Sequence, residues 1–521
     1  MVNLNWKGKK DLKDLLNLKD LDVYPFQDKE FIFSPINENF DKNTEINHQK
    51  IKEKLEKFKS KESWENLLIW GENKLVMLSL LKNFSQKINL IYFDPPFATG
   101  GEFNFKIYIG ERANSDNSQR WINKVAYSDT WKEGIDSYLN FMYERLLLMR
   151  ELLTESGSIY VHLDWHVGDY IKIIMDEIFG VDNFRNEIIW YYPAASVQTK
   201  RFFVRSYDII LFYTKSDDYV FNDDSNIYME YSDRVKKALK EDHKGIYYHR
   251  GGSHNGKKLS QKVYIKKKGV FPRDVWNDIP YVRANTIEYQ GFSTQKPERL
   301  LKRIILASTN KNDIVADFFC GSGTTLIAAE KLGRRWIGCD STKYAIQMTK
   351  KRLLDIYNGK DLTNWKEPYN KKAIPFKICS IGDSENEVFL LIEFLAKENQ
   401  NKDLLNNLEK PNIEVEIHQQ KKQIILEFTG YDVPFFELLS NDFKGKIQKW
   451  TDWIDYWAVD FDYQNDIFNP LWVSYKTPKD RKIKLAAGPY EYDEVKTYKI
   501  RIMAVDILGI ETAHTYEMNI N

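Results

Sequence analysis

Cysteine is scarce: Cys320, Cys339 and Cys379 are the only three in 521 residues. None has a second cysteine at metal-binding spacing, and three scattered thiols build no disulfide framework, so the chain reads as a reduced protein. An excess of charge is lacking too. The 76 Lys and Arg are balanced by 75 Asp and Glu, a net charge of +1, which excludes a basic coat for nucleic acid. Any nucleic-acid contact has to come from local basic patches. No apolar run approaches the roughly 20 residues of a membrane span. The lysine-studded start lacks the apolar core of a signal peptide. Low-complexity tracts and internal repeats are also missing. These absences predict a cytoplasmic protein without membrane contact. What is present supports sizeable cores: 43% hydrophobic and 14% aromatic residues, in a length that fits two to four domains.

The first ~65 residues are charged and irregular, with a helix predicted over 49–58. An α/β rhythm follows. Strands are predicted over 67–70 and 88–93 around a helix at 75–81, and Pro95-Pro96 stop the second strand. Residues 98–131, rooted at Gly100-Gly101, read as a long polar loop, a length that points to function. Next come a helix over 138–153, a strand over 158–163, a helix over 170–179 capped by Gly180, and strands over 187–192 and 208–213. Residues 215–290 break the rhythm and read as an inserted module. It resumes with a helix opened by Pro297, a strand over 314–319, a helix over 324–332 and a strand over 336–339. This pattern predicts a doubly wound sheet. Beyond about residue 364 the character changes. Residues 387–395 fit strand or helix, and 413–428 fit two strands. Tyr498, Ile500 and Ile502 alternate with Lys499 and Arg501, as do Tyr516, Met518 and Ile520 with their neighbours. A β-rich, immunoglobulin-like sandwich is expected there.

Two motifs carry chemistry. Asp317-Phe-Phe319-Cys320-Gly321-Ser322-Gly323-Thr-Thr325 ends a strand and opens a helix. Its glycines allow close backbone approach by a ligand, and the helix start offers free N–H groups. Asp340, at the end of the next strand, can accept both hydroxyls of a ribose. Leu326 stands where a dinucleotide fingerprint wants glycine, and no lysine follows Gly323 as a phosphate loop requires. A nucleoside-containing cofactor and a plain tight turn both remain open on this piece alone.

Asp94-Pro95-Pro96-Phe97 is the sharper signal, at a strand's carboxyl end where open α/β sheets bind ligands. A carboxylate and a proline-locked carbonyl are two acceptors at fixed spacing, matching the two donors of an exocyclic amine. Phe97 offers a ring for stacking. The bland alternative is a proline strand stop.

With both motifs in view, the chain resembles the DNA amino-methyltransferases. The acceptor tetrad precedes the glycine loop by about 220 residues. That order resembles the β class, which includes modification subunits of type III restriction systems. Gly71-Glu72-Asn73, Gly157-Ser-Ile-Tyr-Val-His162-Leu-Asp164, Asp176-Glu-Ile-Phe-Gly180, the strand over 207–215 and Thr294-Gln295-Lys296-Pro297-Glu298 match further segments of the class. The resemblance covers roughly residues 66–354, except 215–290. It implies an α/β fold: a Rossmann-like mixed seven-stranded methyltransferase sheet with circularly permuted motifs, an inserted target-recognition module and a β-rich C-terminal domain. The expected boundaries are 1–65 for an N-terminal extension, 66–214 for the catalytic part and 215–291 for target recognition. Residues 292–364 would bind the cofactor and 365–521 form the β-rich region.

The resemblance implies that Asp94, Pro95, Pro96 and Phe97 hold the target base. Asp317, Phe319, Cys320, Gly321, Ser322, Gly323 and Asp340 would line an S-adenosylmethionine pocket, completed by Thr294, Gln295 and Lys296. Aspartate at the head of the tetrad favours adenine N6; serine there would favour cytosine N4. Double-stranded DNA is the implied partner, with the base flipped into the site. The loop over 98–131 is a candidate to close over that base. Residues 234–268 hold twelve Lys or Arg against Glu241 and Asp242. Lys236, Lys237, Arg250, Lys257, Lys258, Lys266, Lys267 and Lys268 are the candidate DNA contacts, a solvated basic face being the alternative. A restriction or helicase subunit and a second copy of the chain are further expected partners.

His162, Asp164 and His166 suggest a metal cluster, but similar residues in the class bind none, and no metal is expected. The mechanism needs no covalent nucleophile, so Cys320 is not one. Trp450, Trp453 and Trp457 have helical spacing and read as a core stripe rather than a stacking platform. Two other functions stay open: an N4-cytosine methyltransferase, and a non-catalytic DNA-recognition subunit of a defence complex.

Overall fold

The computed structural model describes residues 4–9, 24–32, 46–47, 64–111, 120–132, 134–193, 201–254, 257–265, 269–381, 409–439, 441–464 and 466–521. The segments predicted at 49–58 and 387–395 lie outside the described residues, as do Lys266, Lys267 and Lys268. No helix among the described residues is long and apolar enough to cross a membrane.

Along the chain run β1 (Gln27–Ile32), β2 (Asn66–Trp70), α1 (Asn73–Phe84) and β3 (Ile88–Phe93). A hairpin of β4 (Glu102–Tyr108) and β5 (Trp121–Ser128) follows. Then come α2 (Ile135–Leu152), β6 (Leu153–Leu163), α3 (Gly168–Phe179), β7 (Phe184–Tyr191) and β8 (Tyr207–Thr214). The predicted insertion contains β9 (Gly245–His254), β10 (Lys257–Tyr264) and the two-residue β11 (Val275–Trp276). The α/β order resumes with α4 (Glu298–Ser308), β12 (Ile314–Asp317), α5 (Thr324–Lys331), β13 (Arg335–Asp340), α6 (Lys343–Leu354) and β14 (Phe376–Ser380).

The central sheet has ten strands in the order β1-β14-β2-β13-β12-β3-β6-β8-β7-β11. The seven from β2 to β7 form the expected mixed sheet, in which β8 runs antiparallel to both neighbours. Three further strands widen it at the edges. Alternation along each strand sends side chains to opposite faces. Leu68, Leu90 and Tyr92 pack with residues of α4, α5 and α6. Ile69, Ile91 and Phe93 pack with residues of α1, α2 and α3. The result is three layers, helix on sheet on helix.

Within the stretch read as a loop, residues 102–108 and 121–128 are strands. β4 and β5 pair antiparallel, and Phe105, Ile107 and Ile109 are buried in the core of the C-terminal region. Phe105 stacks on Tyr344 of α6 at 3.6 Å. The hairpin therefore packs between the C-terminal region and the α/β body.

The C-terminal region is a sandwich. One sheet holds Asn412–Gln420, Gln423–Asp432, Ala486–Glu491 and the short Ile46–Asn47; the other holds Trp472–Tyr475, Ile454–Asp460, Thr497–Asp506 and Glu511–Asn519. Both sheets line one core that contains Trp453, Trp457 and Trp472. Trp453 and Trp457 are buried and the half-buried Trp450 packs against the same core, but not on one helix: Trp450 opens a 3-10 turn and Trp457 sits on a strand. Lys351 to Asp455 at 2.6 Å and Lys350 to Glu30 at 2.6 Å tie α6 to the sandwich and to β1.

Candidate active site

β3 and β12 are parallel neighbours, with Leu90 opposite Val315 and Ile91 opposite Ala316. Their carboxyl ends therefore lie side by side, the first followed by Asp94 and the second by the glycine turn. A cavity of about 260 Å³ opens between them. Asp94 and Pro96 line it from one side, and Asp317, Phe319, Cys320, Gly321, Ser322 and Asp340 from the other. Thr294, Gln295 and Lys296, 200 residues from the tetrad in sequence, close the wall. Pro95, Phe97 and Gly323 are not on the wall. The Phe97 ring stacks on that of buried His162, 6.4 Å away. Gly323 takes φ +76° at the start of α5, and a Cβ there would fall 2.5 Å from Thr349 Oγ1.

Lys296 Nζ donates to Asp94 Oδ2 at 2.5 Å. The other oxygen, Oδ1, is buried and has no hydrogen-bond partner among the described residues. Asp317 accepts from Phe319 N at 3.0 Å and from Thr325 Oγ1 at 2.5 Å, and burial pushes its carboxyl up to about 7. Asp340 buttresses the turn from below. Its Oδ2 accepts from Gly321 N at 2.9 Å, and its Oδ1 from Thr342 N and Oγ1 at 2.9 and 2.8 Å. Each oxygen thus already has a protein donor. Burial raises the Asp340 carboxyl, and these hydrogen bonds oppose it. Burial also pushes the Cys320 thiol well above its usual value, the opposite of what a thiolate nucleophile needs.

Further residues complete the site. Glu72 and Asn73, at the turn from β2 into α1, line the cavity and are held by Arg145 of α2. Asn73 Nδ2 donates to Phe318 O at 3.2 Å, joining two strand ends. Arg352 donates to Ser322 O at 2.6 Å and to Glu298 at 3.0 Å, clamping the glycine turn to the start of α4. Asp129, fully buried, accepts from Phe97 N, Ala98 N, Thr99 N and Thr99 Oγ1 at 2.8–3.2 Å. It fixes the chain leaving the tetrad. Thr342 caps the start of α6, a role the sequence reading did not assign; Arg145, Arg352 and Asp129 gave no local signal.

The ionisable side chains on the wall include four carboxylates, Glu72, Asp94, Asp317 and Asp340, and one ammonium, Lys296. Such a lining suits a cationic ligand and repels a polyphosphate. S-adenosylmethionine carries a sulfonium and fits this donor set; a dinucleotide does not.

His162, Asp164 and His166 do not converge. His162 is hydrogen-bonded to Tyr92 and Asp208, each at 2.9 Å, whereas His166 bonds Asp164 at 2.5 Å. In the basic module, β9 and β10 form a three-stranded sheet with Lys240–Asp242. Lys237 and Arg250 are exposed there, and Lys236 pairs with Glu230 at 2.5 Å. Lys257 and Lys258 are on β10. A larger cavity of about 790 Å³ lies between α6, the hairpin and the sandwich, and neither motif faces it.

Residues 88–351 match the family model for N6/N4 methyltransferases, described as DNA methylase. The chain belongs to this DNA methylase family. It is a methyltransferase of the S-adenosylmethionine-dependent kind, acting on DNA. The methylase is 31% identical over 333 residues to the type II methyltransferase M.EcaI of Enterobacter cloacae, covering 55% of this chain and 69% of that protein. It is 31% identical over 278 residues to the DNA adenine methyltransferase YhdJ of Escherichia coli strain K12, covering 53% and 80%. The probable type III restriction-modification enzyme HindVI Mod subunit of Haemophilus influenzae is 25% identical over 505 residues, covering 73% and 64%.

Proposed function

We propose that this methylase modifies N6 of an adenine flipped out of duplex DNA at one recognition sequence. The observation that carries the reading is the unpartnered Oδ1 of Asp94 on the wall of a carboxylate-lined cavity. When bound, S-adenosylmethionine supplies an electrophilic methyl group. Asp317, Phe319, Cys320, Gly321, Ser322, Gly323 and Asp340, with Thr294 and Gln295, would hold it. Asp94 Oδ1 and the Pro95 carbonyl accept the two amine hydrogens and turn the nitrogen lone pair toward the methyl. Phe97 and Pro96 shape the base's slot. The nitrogen loses a proton as it gains carbon, and Asp94 is the acceptor at hand. The step needs mainly proximity and orientation. The head aspartate and the likeness to an enzyme named as an adenine methyltransferase favour adenine over cytosine.

Lys236, Lys237, Arg250, Lys257 and Lys258, with Lys266, Lys267 and Lys268, would contact the duplex. The likeness to a protein named a Mod subunit supports a restriction subunit as partner. The test is transfer of labelled methyl to duplex DNA, followed by digestion to nucleosides. N6-methyladenine is the expected product. Asp94→Ala should lower the rate by at least about 100-fold, as for loss of a preorganised polar group, with cofactor binding retained. N4-methylcytosine would replace the adenine reading, and label in RNA alone would overturn it.

A further inference from the structure

Phe203 is 97% exposed, more than any other large apolar side chain among the described residues. It does not stand alone. Phe202, Val204, Tyr207, Trp165 and Tyr191 are also exposed. The Arg205 guanidinium lies 3.7 Å from the Trp165 ring centroid and 5.5 Å from that of Phe202. Single exposed apolar residues need no explanation, but an aromatic cluster laced with arginine marks a contact surface.

The cluster stands on the same end of the sheet as Asp94. β3 and β6 are parallel, with Phe93 opposite Val161, so Asp94 is level with His162. Trp165 lies three residues further on, in the turn that leaves β6. Trp165 thus leaves the sheet at the end where Asp94 stands. Tyr191 at the end of β7 faces Tyr207 at the start of β8, and Tyr192 N donates to Ser206 O at 2.9 Å. These strand ends connect to the site: Tyr192 donates to Asp208 at 2.7 Å, Asp208 bonds His162, and Phe97 stacks on His162.

We infer that residues 201–207 and Trp165 form the surface that holds DNA at the target step, and that the Phe203 ring enters the base stack where the adenine leaves it. This rests on the function proposed above. An extruded base leaves a flat slot between two π-faces, and an aromatic ring of about 150–250 Å² is shaped to fill it. A guanidinium stacked on an indole keeps its N–H edges for phosphate oxygens, and Arg201 adds a second cation. A protein partner would not require this patch to sit beside the base pocket.

The test compares methylation of two duplexes, one with the target adenine paired to thymine and one with it opposite an abasic site. Cofactor binding is measured in parallel. Phe203→Ala should lower the paired-to-unpaired ratio of kcat/KM at least about ten-fold against wild type, because only the paired target needs help leaving the stack. Phe203→Trp should restore the ratio. An unchanged ratio for Phe203→Ala overturns the inference while the methylase reading stands. A wild-type enzyme that methylates neither duplex overturns both.

Discussion

Lys296 Nζ and Asp94 Oδ2 lie 2.5 Å apart, although 202 residues separate them in sequence. The pair leaves Asp94 Oδ1 as the one unpartnered oxygen of that carboxylate. An ammonium so placed restrains the carboxylate's rotamer through its other oxygen. Lys296 was expected among the cofactor ligands. It lines the cavity and also contacts the carboxylate proposed to grip the base.

That geometry separates two roles for the lysine. Lys296→Met removes a charge-assisted hydrogen bond worth about 1.5–3 kcal/mol, so kcat should fall about 10- to 100-fold. The KM for S-adenosylmethionine should move much less. Steady-state kinetics with each substrate varied will distinguish the two. A rise in that KM with kcat intact would return Lys296 to the cofactor.

Asp129 is the hub of the segment leaving the tetrad, and Trp131 Nε1 also donates to it at 3.0 Å. Asp129→Ala leaves the Phe97, Ala98 and Thr99 N–H groups without their acceptor, at a cost of about 1–3 kcal/mol in unfolding free energy. Chemical denaturation should show that loss. Asp129→Asn, which keeps an acceptor oxygen, should lose less stability. A ligand-free Asp129→Ala protein as stable as wild type contradicts the assignment.

Buried carboxyls set the response to pH. Burial pushes Asp317, Glu330 and Asp460 up to about 7 and Asp506 up to about 6. In an unfolded chain these groups titrate near about 4. Between those values the folded protein holds protons that the unfolded chain has released. Stability from these groups is therefore complete below about pH 4 and lost as pH rises through about 6–7. The Tm of the ligand-free protein should fall between pH 5.5 and 7.5. A Tm that climbs across this window would falsify the picture.

The elements of the α/β body were legible because their signals are local. Ile88–Phe93 is an apolar run cut by two prolines, and Gly180 closes α3 at φ +92°. The hairpin was not legible, although Phe103, Phe105 and Ile107 alternate with Asn104 and Lys106. Its polar surroundings gave no hint that a sandwich formed more than 300 residues later would bury it. The tryptophan spacing misled for a related reason. Residues three and four apart share a helix face, but here a short 3-10 turn and a strand deliver the same rings to one core.

By itself, the sequence determined which chemistry the chain carries: the tetrad, the glycine turn and the acidic residue after the next strand each depend on residue type and short spacing. Only the tertiary structure decided that β3 and β12 are neighbours, that Lys296 meets Asp94, and that Asp129, Arg145 and Arg352 hold the site's backbone. Strand order and long-range ion pairs arise from packing across the sheet, and no local pattern of side chains encodes them.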